Sequence, residues 1–390
     1  MSAHPDDPVP VRRPTAEEVA DRVLQAALGT TDLLAIYLGD RLGFYQSLAT
    51  HGPTSAGDLA ERTQTHPRYV REWLEQQAIT GFVEVTGPEP TPQGERRFAL
   101  SDAAREVFTD TQSLSYLAPL ARTFAASMQQ LPGILEAYRR GGGVSWSQLG
   151  PDARESQADL NRPWFTHALP AALAGVPSLD STLRRPGARV ADIGCGAGWS
   201  TLALAAAYPG ATIHGYDVDA PSVALAQANL ARASLPTADP AGAAGPTDPT
   251  THPVAPAGDR VQFAVADAAG LPADTYDVVF AFECIHDLSE PVTVLSAARQ
   301  SLRACGSVIV MDEAVAPTFA PPGDDVERLM YGYSLLVCLP DGMSRTPSEA
   351  TGTVMRPETL RRYAQRAGLS RFEVLEDAGF GLWRFYRLFP

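Results

Sequence analysis

The chain has no lysine; its 31 lysine-plus-arginine positions are all arginine. Without an ε-amine there is no Schiff-base nucleophile or pyridoxal-type anchor, and no Walker-type phosphate loop. Cysteine is scarce. Cys195, Cys284, Cys305 and Cys338 are widely spaced with no CxxC pair, so neither a zinc ribbon nor a disulfide scaffold is indicated and no metal site is expected. Apolar runs are short: none approaches the roughly 20 residues of a membrane span. The opening "MSAHPDDPVPVRRP" is acidic, polar and Pro-rich, unlike a charged-then-apolar signal peptide. The expectation is a cytoplasmic protein with no membrane association. Cations are in deficit, with a formal net charge of −14, a poor match to nucleic acid, which demands clustered positive charge.

What is present is length enough for two domains, 390 residues. From Thr15 to about residue 110 the pattern is mostly helical, with Gly39 and Gly43 read as breaks. "TSAGDLAERT" opens on a Thr/Ser cap and "THPRYVREWLEQQAITGF" closes on Gly81; "FVEVTGPEPTPQGERRFAL" reads as two strands about a Pro/Gly turn. Helix, turn, helix and β-wing make a winged helix. Residues 1–110 carry 10 Arg against 17 Asp and Glu, and the second helix sets Glu72 and Glu75 beside Arg68 and Arg71. That is not a DNA footprint, and packing or dimerisation is the better reading. Residues 111–178 form a helical connector containing "NRPWF". From Arg189 strands and helices alternate, which implies a parallel sheet covered on both faces, ending in a hairpin whose last strand is antiparallel. A Pro/Ala/Gly-rich stretch, 234–259, is read as a flexible insertion.

"RVADIGCGAGWST" poses the functional question. A dinucleotide loop is G-x-G-x-x-G; counted from Gly194, the sixth position is Trp199. The pattern is instead Asp192-x-Gly194-x-Gly196-x-Gly198. An acid beside the first glycine repels phosphate and suits an ammonium, and the glycines offer bare backbone. S-adenosyl-L-methionine has the ammonium and no phosphate. Asp217 lies 23 residues after Gly194, near the ~20 of an acid that accepts from ribose hydroxyls. Asp267, ending "VQFAVAD", is placed to accept from the adenine amino group. Each of these acids also has the plainer reading of a strand-end Asp capping a turn.

"VADIGCGAGWST", "IHGYDVD", "FAVADAAGLP" and "YDVVFAFECIHDLSEP" resemble, in order, the motifs of the class I S-adenosylmethionine-dependent methyltransferases, over about residues 185–390. With "YLGDRLGFYQSLA", "NRPWF", "YGYSLLVCLP" and "ATGTVMRP", the whole chain is similar to an actinobacterial group with an N-terminal winged helix, typified by a mycobacterial methyltransferase of unassigned substrate. The resemblance implies an α/β, Rossmann-like seven-stranded sheet of order 3-2-1-4-5-7-6, a winged-helix domain that makes a homodimer, and S-adenosyl-L-methionine as cofactor with S-adenosyl-L-homocysteine as product. The organisation expected is a disordered tail at 1–14, a winged-helix domain at 15–110, the connector at 111–178 and the methyltransferase domain at 179–390. The cofactor site then takes in Asp192, Gly194, Cys195, Gly196 and Gly198, Asp217 and Val218, Asp267 and Ala268, and Phe282. The insertion before the third strand departs from the family pattern but leaves Asp267 aligned.

Methyl transfer from a sulfonium is an in-line displacement, in which positioning supplies roughly 7–11 kcal/mol and a base about 10²–10⁴-fold where the acceptor is a hydroxyl. No metal is obligatory. "FECIHD" offers His286 as base, or as a packed residue beside the cofactor, and Glu283 as base or as holder of the cofactor's amino group; Cys284 is read as packing. The long segment after the fifth strand is placed to build a lid, with Met330, Tyr331, Tyr333 and Cys338 as pocket walls facing Trp146, Asn161, Arg162 and Trp164. The acceptor is expected to be a small, partly apolar metabolite of secondary metabolism, methylated on oxygen ahead of carbon, sulfur or nitrogen; Arg162, Arg328 and Arg356 leave a diphosphate open. A catalytically silent, cofactor-binding winged-helix regulator is the alternative, countered by Glu72 and Glu75. An NAD-linked oxidoreductase is countered by Trp199.

Overall fold

The computed structural model describes residues 13–88, 91–233 and 260–390; the tail and the 234–259 insertion expected from sequence lie outside them, apart from residues 13 and 14. The chain divides into two compact units, Met1–Asp110 and Thr111–Pro390. No described helix is long and apolar enough to cross a membrane.

The first unit packs helices Ala16–Arg41, Phe44–His51, Ala56–Thr63, Pro67–Thr80 and Asp102–Thr109 around an antiparallel pair, β1 (Glu84–Thr86) and β2 (Arg97–Ala99). Ser55 caps the third helix, its hydroxyl accepting from the Asp58 amide, and Gly81 ends the fourth at φ 88°. Trp73 anchors the core against Phe44 and Tyr45, at centroid distances of 4.8 and 5.1 Å. One sequence expectation fails here: Gly39 does not break the first helix, which continues to Arg41. Its lack of a side chain serves packing instead, because a Cβ there would stand 2.4 Å from Trp73 Cζ2.

The second unit is built on β3 (Arg189–Ile193), β4 (Thr212–Asp217), β5 (Val261–Val265), β6 (Tyr276–Phe282), β7 (Leu302–Glu313), β8 (Arg371–Val374) and β9 (Trp383–Phe389). Their order is β5-β4-β3-β6-β7-β9-β8, which in strand-by-strand terms is 3-2-1-4-5-7-6. The first five are parallel, and β9 inserts antiparallel between β7 and β8. Alternation along β3 sends Val190 to one core layer and Ala191 and Ile193 to the other, as the two-residue period of a strand requires. β6 is buried along its whole length, the mark of a central strand covered on both faces. The order reverses at β3, where β4 lies to one side and β6 to the other. A crevice therefore opens beyond the carboxyl ends of these strands, the usual ligand position in such sheets. Helices Leu120–Gln129, Trp146–His167 and Asp325–Tyr333 belong to the same unit.

A pair of glycine substitutions in the first helix separates packing from helix propensity. Gly29→Ala, with nothing within 4 Å of the new Cβ, is expected to stabilise by about 0.5–1 kcal/mol. Gly39→Ala is expected to destabilise by about 1–3 kcal/mol through overpacking against Trp73. Chemical denaturation of both variants checks the opposite signs.

Candidate active site

At the end of β3 the chain turns through Gly194–Gly198 into the helix Trp199–Ala207. A Cβ on Gly194 would lie 2.7 Å from Cys284 Cβ, whereas one on Gly196 would meet nothing within 4 Å. The first glycine thus permits close packing and the second leaves open backbone. Asp192, 0% exposed, accepts from Ser200 Oγ at 2.7 Å and Thr201 Oγ1 at 2.5 Å. Burial lifts its carboxyl to about 6, against the pull of those two hydroxyls. Asp217, ending β4, accepts from the Gly196 amide on one oxygen and the Asp219 amide on the other, both at 2.8 Å. Burial raises its pKa and the amides oppose the rise. Asp219 caps the helix Ala220–Arg232 and takes a bidentate bond from Arg154, at 2.6 and 3.1 Å. Sequence reasoning missed this pair. Asp219 has a readable signal, an Asp before "APSV" at a helix start; Arg154 has none.

β6 delivers Phe282 and Glu283 to the crevice. Glu283 has a left-handed backbone, φ 49°, a strained conformation of the kind that clusters at functional sites. Its carboxylate accepts from Trp383 Nε1 and Asn161 Nδ2, with Gln157 Nε2 at 3.4 Å. Burial pushes its pKa to about 7, while the Trp383 bond, His286 and Asn161 pull it down. Cys284 donates to the Ile193 carbonyl at 3.3 Å, consistent with a packing role.

His286, 2% exposed, lies among carboxylates. Its Nδ1 is 2.9 Å from Asp312 Oδ1 and 3.3 Å from Glu313 Oε2, and Nε2 is 3.3 Å from Asp287 Oδ1. Burial alone would lower the imidazole pKa; Asp312, Glu313 and Asp287 outweigh it and hold the ring well above the ordinary histidine range. The same ring keeps Asp312 below the usual carboxylate range against its burial. Asp341 accepts from the Trp146 amide at 2.7 Å, and burial followed by repulsion from Asp287 raises it to about 7.

Of these groups Arg154, Asp217, Asp219, Glu283, His286, Asp287, Glu313 and Asp341 face one cavity of about 380 Å³. Of the residues expected from sequence, Gly194, Cys195, Gly196, Asp217, Val218, Phe282, Glu283, His286, Trp146, Asn161, Trp164, Met330, Tyr333 and Cys338 line it. Others do not. Asp192 lies behind the loop, so its assignment to the cofactor's ammonium gives way to bracing the helix start. Asp267 stands exposed, its carboxylate accepting from the Ala269 amide at 2.9 Å; it caps the turn Ala268–Gly270, and neither it nor Ala268 is in the wall. Gly198 is the left-handed residue before the helix, φ 81°, and contributes a packing space rather than a wall. Tyr331 is 38% exposed, with Arg356 donating to its hydroxyl at 3.4 Å. Arg162 lies over the Trp199 ring, 4.5 Å from its centroid, outside the wall.

The sheet order and the glycine loop with an acid at the end of the next strand define the fold of the S-adenosylmethionine-dependent methyltransferases. Residues 191–308 match the methyltransferase domain family, and residues 30–91 match the Rv2258c-like winged HTH domain. Residues 191–308 are thus a methyltransferase domain and residues 30–91 a winged HTH domain, and the chain has the fold of the S-adenosylmethionine-dependent methyltransferases. It is 42% identical over 77 residues to the ribosomal RNA small subunit methyltransferase G of Mycolicibacterium smegmatis, a match over 19% of this chain and 28% of that protein. Two solved structures share the fold over nearly the whole length. The mitomycin 7-O-methyltransferase MmcR has a TM-score of 0.65 and 20% identity, over 96% of this chain and 97% of its own. Human N-acetylserotonin methyltransferase, solved with S-adenosylmethionine, has a TM-score of 0.67 and 15% identity, over 96% of this chain and 99% of its own.

Asp192 generates a pH-dependent stability. Its folded pKa, about 6, is above the ordinary carboxyl value near 3.9, so the unfolded chain ionises first and stability falls as pH rises between the two values, by about 3 kcal/mol in all. Asp192→Asn removes that ionisation while retaining an oxygen for Ser200 and Thr201. Relative to wild type, the variant is expected to gain about 1.4 kcal/mol between pH 5 and pH 7.5, read from denaturant midpoints.

Proposed function

We propose that this enzyme methylates a hydroxyl oxygen of a small, partly apolar metabolite of the secondary-metabolite kind. The division of the cavity carries the reading: Trp146, Trp164, Trp383, Met330 and Val337 form apolar walls, while Glu283, His286 and Asp287 lie together at one end. An apolar pocket with a few convergent polar groups suits a small molecule. The solved methyltransferases named above act, by their names, on mitomycin and N-acetylserotonin, acceptors of that size. In the first unit, Val19, Val23, Leu24 and Leu28 are exposed on the first helix, which favours the winged helix as a dimerisation unit.

On this reading the methionine end of the cofactor lies over Gly196, its ribose hydroxyls bond Asp217, and its ammonium meets Glu283. The methyl carbon faces the His286 end, where the acceptor oxygen attacks in line. The new O–CH₃ bond forms as the S–CH₃ bond breaks, leaving S-adenosyl-L-homocysteine. A lone neutral imidazole is not what the fold provides, since the carboxylates keep His286 charged. The acceptor's proton is taken up by His286, Asp312 and Glu313 titrating as one unit.

Two experiments test this. Ionising Glu283 favours a cationic ligand, so affinity for S-adenosylmethionine is expected to rise about tenfold between pH 5.5 and pH 7, and Glu283→Gln to flatten the dependence in calorimetric titration. A pH-independent wild-type affinity would remove Glu283 from the ammonium site. With an acceptor found by screening for labelled methyl transfer and O–CH₃ formation read by NMR, His286→Asn is expected to lower kcat by about 10²-fold or more while cofactor affinity changes little. Transfer only to carbon, sulfur or nitrogen would overturn the oxygen assignment.

A further inference from the structure

We propose that His286, Asp287 and Cys338 form a zinc site in the wall of the acceptor pocket. The inference rests on the methyltransferase reading for its chemistry, but not for metal binding itself. The donor atoms of the three residues lie within 4.8 Å of one another. Nε2 of His286 is 3.3 Å from Asp287 Oδ1, the separation of two ligands on a tetrahedral ion with bonds of about 2.0–2.1 Å. Asp287 Oδ1 is buried, with the His286 ring nitrogen opposite it. Cys338, 6% exposed, ends a π-helical turn, Ser334–Cys338, a distortion that recurs at functional sites. The buried Thr353 hydroxyl faces its sulfur.

The surroundings complete the pattern. Nδ1 of His286 faces Asp312 at 2.9 Å, the carboxylate–histidine arrangement that orients the other ring nitrogen toward a metal. Glu313 Oε2 stands 3.3 Å behind the same Nδ1, so Asp312 and Glu313 form the outer shell. Imidazole, thiolate and one carboxylate make a donor set suited to zinc rather than magnesium or calcium. Three protein ligands on the cavity wall leave the fourth position open to the pocket, as in catalytic zinc sites.

The chemistry balances without a redox partner. Zinc binding displaces one proton from Cys338 and whichever proton occupies His286 Nε2. With zinc bound the ring is no longer the charged imidazole of the metal-free site, and an acceptor hydroxyl or thiol taking the fourth position gives its proton to solvent rather than to the carboxylates and becomes a metal-bound anion. The anion attacks the methyl carbon, the sulfonium S–C bond breaks, and S-adenosyl-L-homocysteine leaves.

The test is metal uptake by the full-length protein. After chelation and dialysis, wild type is expected to take up one equivalent of zinc per chain by elemental analysis, and the cobalt(II) form to show a thiolate-to-metal charge-transfer band. Cys338→Ser is expected to abolish that band, Cys305→Ser to leave it, and Asp312→Asn to weaken zinc binding about 10–100-fold. Wild type that retains no stoichiometric zinc, or cobalt protein without the thiolate band, overturns the site. Full methyl transfer by metal-free protein overturns its role in the reaction and leaves the methyltransferase reading intact. S-adenosylmethionine titration alongside distinguishes the two: zinc retained without cofactor binding would sink the methyltransferase reading and keep the metal site.

Discussion

A single buried carboxylate fixes the geometry on which the cofactor end depends. Asp192 holds the hydroxyls of Ser200 and Thr201, and this ties the last residues of β3 to the first turn of the following helix. The glycine loop between them has its two ends pinned to one side chain. Gly196 then presents its amide to Asp217, and Asp217 passes the constraint to Asp219, which holds Arg154. A chain of charge-assisted bonds thus runs from the central strand to helix Trp146–His167, which supplies much of the pocket wall. Bonds of this type are each worth about 1.5–3 kcal/mol. Their larger effect is to leave the loop few alternative conformations.

The acceptor end is built on a different principle, an excess of negative charge held out of water. Glu283, Asp287, Asp312 and Glu313 gather about one imidazole with Asp341 beside Asp287, and burial raises Glu283, Glu313 and Asp341 against their ordinary values. Desolvated carboxylates destabilise a fold unless a cation or a proton accompanies them. Arg154 is committed to Asp219 and cannot serve. The protein holds such a cluster in place through the left-handed backbone of Glu283 and the rigid strand ends of β6 and β7. An arrangement that costs stability and is held by the most rigid part of the sheet points to function rather than packing.

Much of this was readable in the chain, and the boundary is physical. The parallel, doubly covered sheet followed from the alternation of β-rich and helical segments, whereas the strand order came only with the resemblance of the motifs to a known family. The glycine loop and the strand-end Asp217 were readable as a pair because backbone shape and a strand-end acid are local properties, and the structure joins them through the Gly196 amide. Gly39 was misread for the opposite reason: in sequence a glycine is a break, and only Trp73, 34 residues on, makes it a packing site. Asp267 stood on the correct strand, but whether a carboxylate caps its own turn or reaches a ligand depends on neighbours that no spacing encodes. The charge of His286 was hidden similarly, since Asp312 and Glu313 arrive from a strand 26 residues away.

The walls follow from the same division of labour. The apolar walls come from Trp146 and Trp164 on one helix, Met330 and Tyr333 on another, and Trp383 at the start of β9. None of these side chains belongs to the parallel strands. Structures at 15 to 20% identity share the fold along almost the whole chain. By this logic the acceptor's chemistry is encoded where the fold constrains least, and the polar end is the exception. His286, Asp287 and Glu313 follow or end core strands, which ties the polar end to the sheet while the apolar walls stand on helices and on the last strand.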